Sequence, residues 1–203
     1  MKEQYSIKDF ITKPIVMKIT SEEEILRDKL MNEIISKHKP INISDRDDME
    51  IIISMKNKNI LSLNDNNEIV SIYPVSALPT NKKVTFKNGD YAYAMCAIDA
   101  IGFYYAFNQP IVIEGECEHC GDKIVLEVSD GKINIINGGD SIHILHTDLE
   151  NMNNWSCCCC NIMHFFSCEE SLEKWTKKCI LNNKIFAVDL ETANKIAWLL
   201  FSK

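Results

Sequence analysis

The chain has 203 residues, a formal net charge of -7 and 46% hydrophobic residues, a composition typical of a globular protein with one sizeable core. The acidic balance argues against nucleic acid as the main partner, because phosphate binding needs a basic surface. No apolar run approaches the roughly 20 residues that a membrane span requires, and the first residues lack the apolar stretch of a signal peptide. We therefore expect a cytoplasmic protein with neither a nucleic-acid nor a membrane partner.

The first 75 residues predict a small helical unit. Ser21 precedes three glutamates, which indicates the N-cap of a helix that runs to about His38. A second short helix is expected to begin at Ser44 or Asp45, and a β-hairpin follows it around an Asn-Asp-Asn-Asn turn. Two helices followed by a hairpin resemble a winged-helix unit. Because the acidic and basic side chains of residues 1–60 balance, we expect a packing or lid role rather than DNA binding.

The remainder of the chain, residues 76–203, predicts the larger core. Strands are expected over 84–86, 91–93, 111–116, 123–128, 132–136 and 141–146, and helices over 96–105, 169–178 and 190–201. Strands and helices that mix without regular alternation indicate the α+β class. The predicted architecture is a winged-helix-like region at 1–75, followed by a mixed or antiparallel sheet with packed helices.

The nine cysteines all lie in this second region, and the first of them is Cys96. In a cytoplasmic chain such a set indicates metal binding or catalysis rather than a disulfide framework. Cys96 and Asp99 are three residues apart, so on a helix they share a face, although a buried packing cysteine is the alternative reading. In the run Cys157–Cys160, adjacent side chains cannot all point one way, so at most two are expected to converge on one metal ion.

A second pattern is a Cys-x-x-Cys pair. Cys117 and Cys120 are followed by glycine, as in half of a zinc knuckle, and the Cys157–Cys160 run offers a second half. Together the two halves would supply the four sulfurs of a tetrahedral zinc site, although the spacing between them exceeds that of a usual zinc ribbon. His119 and His164 are further possible ligands. Cys168 and Cys179 have no partner at motif spacing and are interpreted as packing residues.

Three segments, taken in order, resemble those of the organomercurial (alkylmercury) lyases. The segment 93–100, Tyr-Ala-Met-Cys-Ala-Ile-Asp-Ala, resembles the one that carries the family's first catalytic cysteine and its aspartate. Cys117 falls where these enzymes often carry a non-catalytic cysteine. The segment 160–167, Cys-Asn-Ile-Met-His-Phe-Phe-Ser, resembles the one with the second catalytic cysteine. The chain is therefore identified as a cysteine-rich, divergent member of that family.

The resemblance implies a role for each matched residue. Cys96 and Cys160 would be the catalytic thiols, with Cys159 as the alternative to Cys160, and Asp99 would carry the proton. The implied reaction is protonolysis of a carbon–mercury bond to a hydrocarbon and Hg(II), as in mercury resistance and detoxification. No cofactor would be required, and Cys96, Cys160 and Asp99 would hold the Hg(II) product until cytosolic thiols or a mercuric reductase collect it.

The alternative hypothesis is a non-catalytic protein that binds zinc or another heavy metal. Its ligands would come from the Cys-x-x-Cys pair and the four-cysteine run, whose auxiliary members are Cys117, Cys120, Cys157, Cys158 and Cys159. A structural zinc ion is also compatible with the lyase hypothesis, because the auxiliary cysteines are additional to the catalytic ones.

Overall fold

The computed structural model describes residues 13–44, 46–139, 141–147, 149, 159–178 and 185–203. The helices in these ranges are α1 Ser21–Lys37, α2 Met49–Asn57, α3 Ala97–Phe107, α4 Glu169–Lys178 and α5 Leu190–Phe201. The strands are β1 Ile41–Asn42, β2 Leu61–Leu63, β3 Glu68–Ile72, β4 Val75–Ser76, β5 Lys83–Phe86, β6 Tyr91–Ala94, β7 Ile111–Glu116, β8 Lys123–Ser129, β9 Lys132–Asn137, β10 His143–Thr147, β11 Phe165–Phe166 and β12 Ile185–Asp189. Within the described ranges, no helix has both the length and the apolar character that crossing a membrane demands.

The two N-terminal helices differ from their predictions: α1 has a different N-cap residue, and α2 begins later. The cap of α1 is Thr20 rather than Ser21: its Oγ1 accepts the Glu23 N–H at 3.2 Å, and its own N–H donates to Glu23 Oε2 at 2.7 Å. Helix α2 begins at Met49 instead of residue 44 or 45, of which residue 45 lies outside the described residues. The preceding chain is extended because β1 pairs with β3, so the helix starts only after a further turn.

Two antiparallel sheets form the β-structure of the described residues. The larger has the order β1-β3-β4-β6-β5-β7-β8-β9, with β2 also beside β3, and the smaller has the order β11-β10-β12. Within the described residues every strand pair is antiparallel, and the combination of these sheets with five helices confirms the α+β class. The N-terminal hairpin continues into the larger sheet through β4. The division at residue 75 and the winged-helix likeness remain predictions.

Helix α3 lies between the large sheet and α5, so its N-terminal end is enclosed by the hydrophobic core. Phe103 of α3 and Phe201 of α5 are both buried in this core. The two helices approach closely at Gly102, where an added Cβ would lie 2.5 Å from Cε2 of the Phe201 ring. The absence of a side chain at Gly102 therefore permits the packing that holds α3 in place.

We expect Gly102→Ala to lower the free energy of unfolding by about 1–3 kcal/mol, because the new methyl group forces the Phe201 ring out of its packed position. A helical glycine replaced by alanine would otherwise gain about 0.5–1 kcal/mol, so the sign of the change is diagnostic. Urea unfolding would measure it. In a Phe201→Leu background, which has no ring at this position, Gly102→Ala should cost less stability than it does in the wild-type protein. A Gly102→Ala variant that is more stable than wild type would contradict the close approach.

Candidate active site

Cys96 is the N-cap of α3 rather than a residue within the helix. Its backbone is extended, with φ of -144°, and its Sγ accepts the backbone N–H of Asp99 at 3.3 Å. The N-terminal end of a helix presents unpaired N–H groups and a partial positive charge, which stabilise a thiolate. The same cap places Asp99 in the first turn, where its carboxyl group lies beside the sulfur.

Cys160 reaches this helix end through a tight turn. The N–H of Ile162 and the N–H of Met163 both donate to the Cys159 carbonyl, at 2.9 Å and 3.1 Å. The carbonyl of Met163 in turn accepts the N–H of Ala97, the first residue of α3, at 2.9 Å. These backbone hydrogen bonds attach the turn to the start of α3. The backbone therefore holds Cys160 close to Cys96.

The three residues Cys96, Asp99 and Cys160 form one buried group. A sulfur or carboxylate oxygen from each lies within 4.8 Å of the others, and Cys160 Sγ is 3.7 Å from Asp99 Oδ2. Each of the three is at most 4% exposed. In the described part of the chain this is the only such group of metal-ligating side chains. Cys159 is also buried but is not a member of it.

Burial controls the protonation of this group. It raises the pKa of Asp99 to about 7, although hydrogen bonds with the two thiols oppose part of the shift. Burial likewise raises the pKa of Cys96, and the contact with Cys96 together with burial raises the pKa of Cys160 well above its usual value. Near neutral pH the two thiols therefore keep their protons, and Asp99 is balanced between its acid and its base form.

Two further side chains reach the group without any motif in the sequence to indicate them. The Tyr73 hydroxyl lies 4.0 Å from Cys160 Sγ, and burial is the main cause that raises its pKa, so it stays a neutral hydrogen-bonding group. The Tyr73 carbonyl accepts the Arg27 Nη2–H at 2.6 Å, which ties the N-terminal helix to the site. Lys82 is also buried. Burial lowers its pKa, while the nearby Cys96 and other acidic groups act in the opposite direction.

Of the auxiliary cysteines that the structure describes, Cys117 and Cys120 are not members of the buried group, while Cys159 lies next to Cys160. Cys117 is buried and Cys120 is exposed, and neither belongs to the group of three. Cys157 and Cys158 lie outside the described residues, so the four-sulfur zinc site remains a prediction. Cys168 is exposed rather than packed in the core, and its Sγ lies 3.4 Å from the Ser171 hydroxyl.

The two histidines proposed as ligands are not part of the buried group. His164 Nδ1 is 3.2 Å from a Glu118 carboxylate oxygen, and its Nε2 is 2.8 Å from the Asn161 carbonyl. Its ring also packs edge-on against Trp175, with centroids 5.4 Å apart. These contacts describe a histidine that holds segments of the fold together. Burial lowers its pKa, which favours the neutral ring.

Comparison with known proteins identifies the same region. Residues 75–202 match the family model described as alkylmercury lyase. Among solved structures, the mercury-bound form of MerB2 is similar with a TM-score of 0.70 and 20% sequence identity, over 90% of this chain and 91% of that chain. At this identity the likeness establishes a common fold. A comparison with curated proteins gave no match.

Proposed function

Because the chain belongs to the alkylmercury lyase family and is therefore a lyase, we propose that it cleaves the carbon–mercury bond of organomercurials by protonolysis. The observation that carries this proposal is the buried convergence of Cys96, Asp99 and Cys160. Two thiols are suitable ligands for a soft metal ion, and the carboxyl group between them is suited to proton transfer. The family match also favours a lyase over a non-catalytic zinc or heavy-metal-binding protein.

In the first step the organomercurial exchanges its outer ligand for a cysteine sulfur. A thiol must lose its proton when its sulfur binds mercury, and the raised pKa values of both thiols mean that a base has to remove it. Asp99 is the base within reach, 3.7 Å from Cys160 Sγ. The helix end that donates an N–H to Cys96 Sγ makes this sulfur the better first ligand, because it stabilises the developing thiolate.

In the second step the other sulfur binds and the carbon–mercury bond breaks. Two sulfur donors raise the electron density on the metal-bound carbon, which becomes basic enough to accept a proton. The proton of the first thiol leaves with the outer ligand, and Asp99 takes the proton of the second thiol and delivers it to the carbon. A pKa of about 7 suits both the uptake and the delivery near neutral pH. One organomercurial and two thiols thus give one hydrocarbon, one Hg(II) bridging Cys96 and Cys160, and the released outer ligand with its proton.

The proposal needs no cofactor, since the protein supplies both sulfur ligands and the proton carrier. The tight affinity of sulfur for mercury makes release of Hg(II) slow, so we infer that small cytosolic thiols or a mercuric reductase accept it by thiol exchange. A reducing cytoplasm would keep the cysteines available for this chemistry. None of the described cysteines forms a disulfide.

Headspace gas chromatography with mass detection of the protein, methylmercury and excess small thiol in deuterated buffer would test this function. We expect singly deuterated methane over many turnovers, because the hydrogen added to carbon comes from an exchangeable group. The Cys96→Ser variant is the matched control. Tight binding of methylmercury without methane release would refute the lyase, and methane that carries no deuterium would refute protonolysis.

We expect Tyr73→Phe to lower kcat about tenfold, because the variant keeps the buried ring but removes the hydroxyl that accepts a hydrogen bond from the Cys160 thiol and so helps to orient its sulfur. Methane release at saturating methylmercury would measure the change. Urea unfolding would establish that the variant is folded. An unchanged kcat would limit Tyr73 to packing.

A further inference from the structure

A second group of cysteines lies at the surface, where the turn between β7 and β8 meets the start of α4. Cys117 and Cys120 belong to the turn, and Cys168 immediately precedes the helix, where its carbonyl accepts the Leu172 N–H at 3.2 Å. Cys120 and Cys168 are exposed, while Cys117 is buried beneath them. The proposed reaction uses none of these three sulfurs.

The turn that carries Cys117 and Cys120 is built like a metal-binding knuckle. The Cys117 N–H donates to the Asp122 carbonyl and the Gly121 N–H donates to the Cys117 carbonyl, each at 2.8 Å. Gly121 has φ of +77°, a conformation that side chains disfavour. Burial alone would raise the pKa of the Cys117 thiol, but the nearby backbone N–H groups of Ser167 and Cys120 outweigh it and lower this pKa. Amide donors aimed at a sulfur stabilise its anionic, metal-binding form.

The Ser171 hydroxyl lies beside both exposed sulfurs. The Ser171 hydroxyl lies 3.8 Å from Cys120 Sγ and 3.4 Å from Cys168 Sγ, so sulfurs from two distant segments share one neighbour. The Cys120 thiol also donates to Asp122 Oδ2 at 3.0 Å, which provides an acceptor for its proton. An open pocket adjoins the cluster, and Asp122, Ser167 and Cys168 are among its lining residues.

We propose that Cys120 and Cys168, supported by Cys117, form a second thiol site that binds Hg(II) at the protein surface. This inference rests on the proposed function, which makes Hg(II) the product that leaves the buried group. Hg(II) is a soft ion that two or three sulfurs satisfy, so the site does not need the fourth ligand of a zinc centre. Binding forms two sulfur–mercury bonds and breaks the two bonds to the carrier thiols. The two protein thiol protons pass to the departing carrier sulfurs, that of Cys120 by way of Asp122, without oxidation or reduction.

The openness of the cluster is consistent with exchange rather than storage. Within the described residues, the cluster does not gather three ligand atoms as tightly as the buried group does. The exposed sulfurs can therefore be attacked by an incoming small thiol, which is how mercury moves between sulfur ligands. Hg(II) that leaves Cys96 and Cys160 on a carrier thiol would find at this surface a second pair of sulfurs accessible from solvent.

Thiol protection followed by peptide mass spectrometry tests the site directly. The Cys96→Ser/Cys160→Ser variant receives one equivalent of mercuric chloride with excess small monothiol, is desalted, and is then alkylated. We expect alkylation of Cys120 and Cys168 to fall at least about tenfold relative to the metal-free sample, because sulfur bound to mercury does not react with the alkylating reagent. A tenfold change corresponds to a binding free energy of about 1.4 kcal/mol. Full alkylation of both cysteines would overturn the proposal, even if mercury had bound to other cysteines of the protein.

A variant that also carries Cys120→Ser and Cys168→Ser provides a second measurement. Its affinity for Hg(II), measured by competition with the monothiol, should be about 100-fold weaker, which corresponds to about 2.8 kcal/mol. An affinity equal to that of the parent variant would also overturn the proposal. Because both positions are exposed, we expect the serine substitutions to leave the packing unchanged. Because neither measurement requires turnover, failure of the second site is separable from failure of the lyase, which the methane assay decides.

Discussion

Replacing either buried thiol by serine is expected to lower the rate of methane release from methylmercury by about 1,000-fold or more. The serine hydroxyl occupies nearly the same space but is a hard oxygen ligand with little affinity for mercury. Cys96→Ser removes the sulfur at the helix end, and Cys160→Ser removes the sulfur that faces Asp99. Either loss leaves mercury with one protein donor, too few to make the bound carbon basic.

Binding and cleavage should separate in these variants. Each retains one buried sulfur, so each should still bind one equivalent of methylmercury at the site while releasing no methane. The matched control is Cys179→Ser, a cysteine that lies outside the described residues and that the proposed reaction does not use, and this variant should keep wild-type activity. The double variant Cys96→Ser/Cys160→Ser should lose little more than either single variant, because the two sulfurs act as one unit.

Methane release near the wild-type rate by Cys160→Ser would contradict the assignment of the second thiol. In that case Cys159→Ser is the next variant to measure, because Cys159 is the adjacent buried cysteine of the same turn. Loss of activity in Cys159→Ser together with activity in Cys160→Ser would transfer the role to Cys159.

Asp99→Asn is expected to lower kcat by about 100- to 10,000-fold, the usual contribution of a positioned general acid or base. The amide is close in size and keeps the place of the carboxyl group in the first turn of α3, but it cannot carry a proton between sulfur and carbon. Methylmercury should still bind at equilibrium, since both thiols remain, but it should bind more slowly because the base that deprotonates them is gone. The kinetic measurement is methane release at saturating substrate.

The same substitution should stabilise the protein above about pH 7. The unfolded carboxyl group has an ordinary pKa of 3.8, while burial raises the folded value to about 7. Between these values the unfolded state gives up its proton more readily, so rising pH favours unfolding through this group. Three pKa units correspond to about 4 kcal/mol, and this stability is present below pH 4 and lost by the time the pH has passed 7.

Urea unfolding of wild type and Asp99→Asn from pH 4 to pH 8 would measure the effect as the difference between the two curves. We expect the variant to gain about 2–4 kcal/mol relative to wild type over this range. Asp65→Asn, at an exposed turn position, is the control and should show no such difference. A difference that does not change with pH would contradict a raised pKa at Asp99, whatever the activity of the variant.

Local elements could be predicted closely because neighbouring residues determine them. The bounds of α4 and α5 agree with the amphipathic patterns at 169–178 and 190–201, and the β7 and β8 pair agrees with two alternating runs. Errors occurred where long-range contacts override local preference. Strand β1 delays the start of α2, and β12 was not predicted because it is short and leads directly into α5.

The sequence by itself determined which chemistry is available: a cysteine three residues before an aspartate and a run of cysteines in a distant segment, both in segments that resemble the alkylmercury lyases. Only the tertiary structure decided which of the adjacent cysteines faces Asp99, because that depends on the backbone bond from Ala97 to Met163. It also decided that Tyr73 reaches the buried group and that Cys168 meets Cys120 through Ser171. These contacts depend on packing between segments that are far apart in the chain. The periodicity and spacing of residues, in contrast, indicate only local secondary structure.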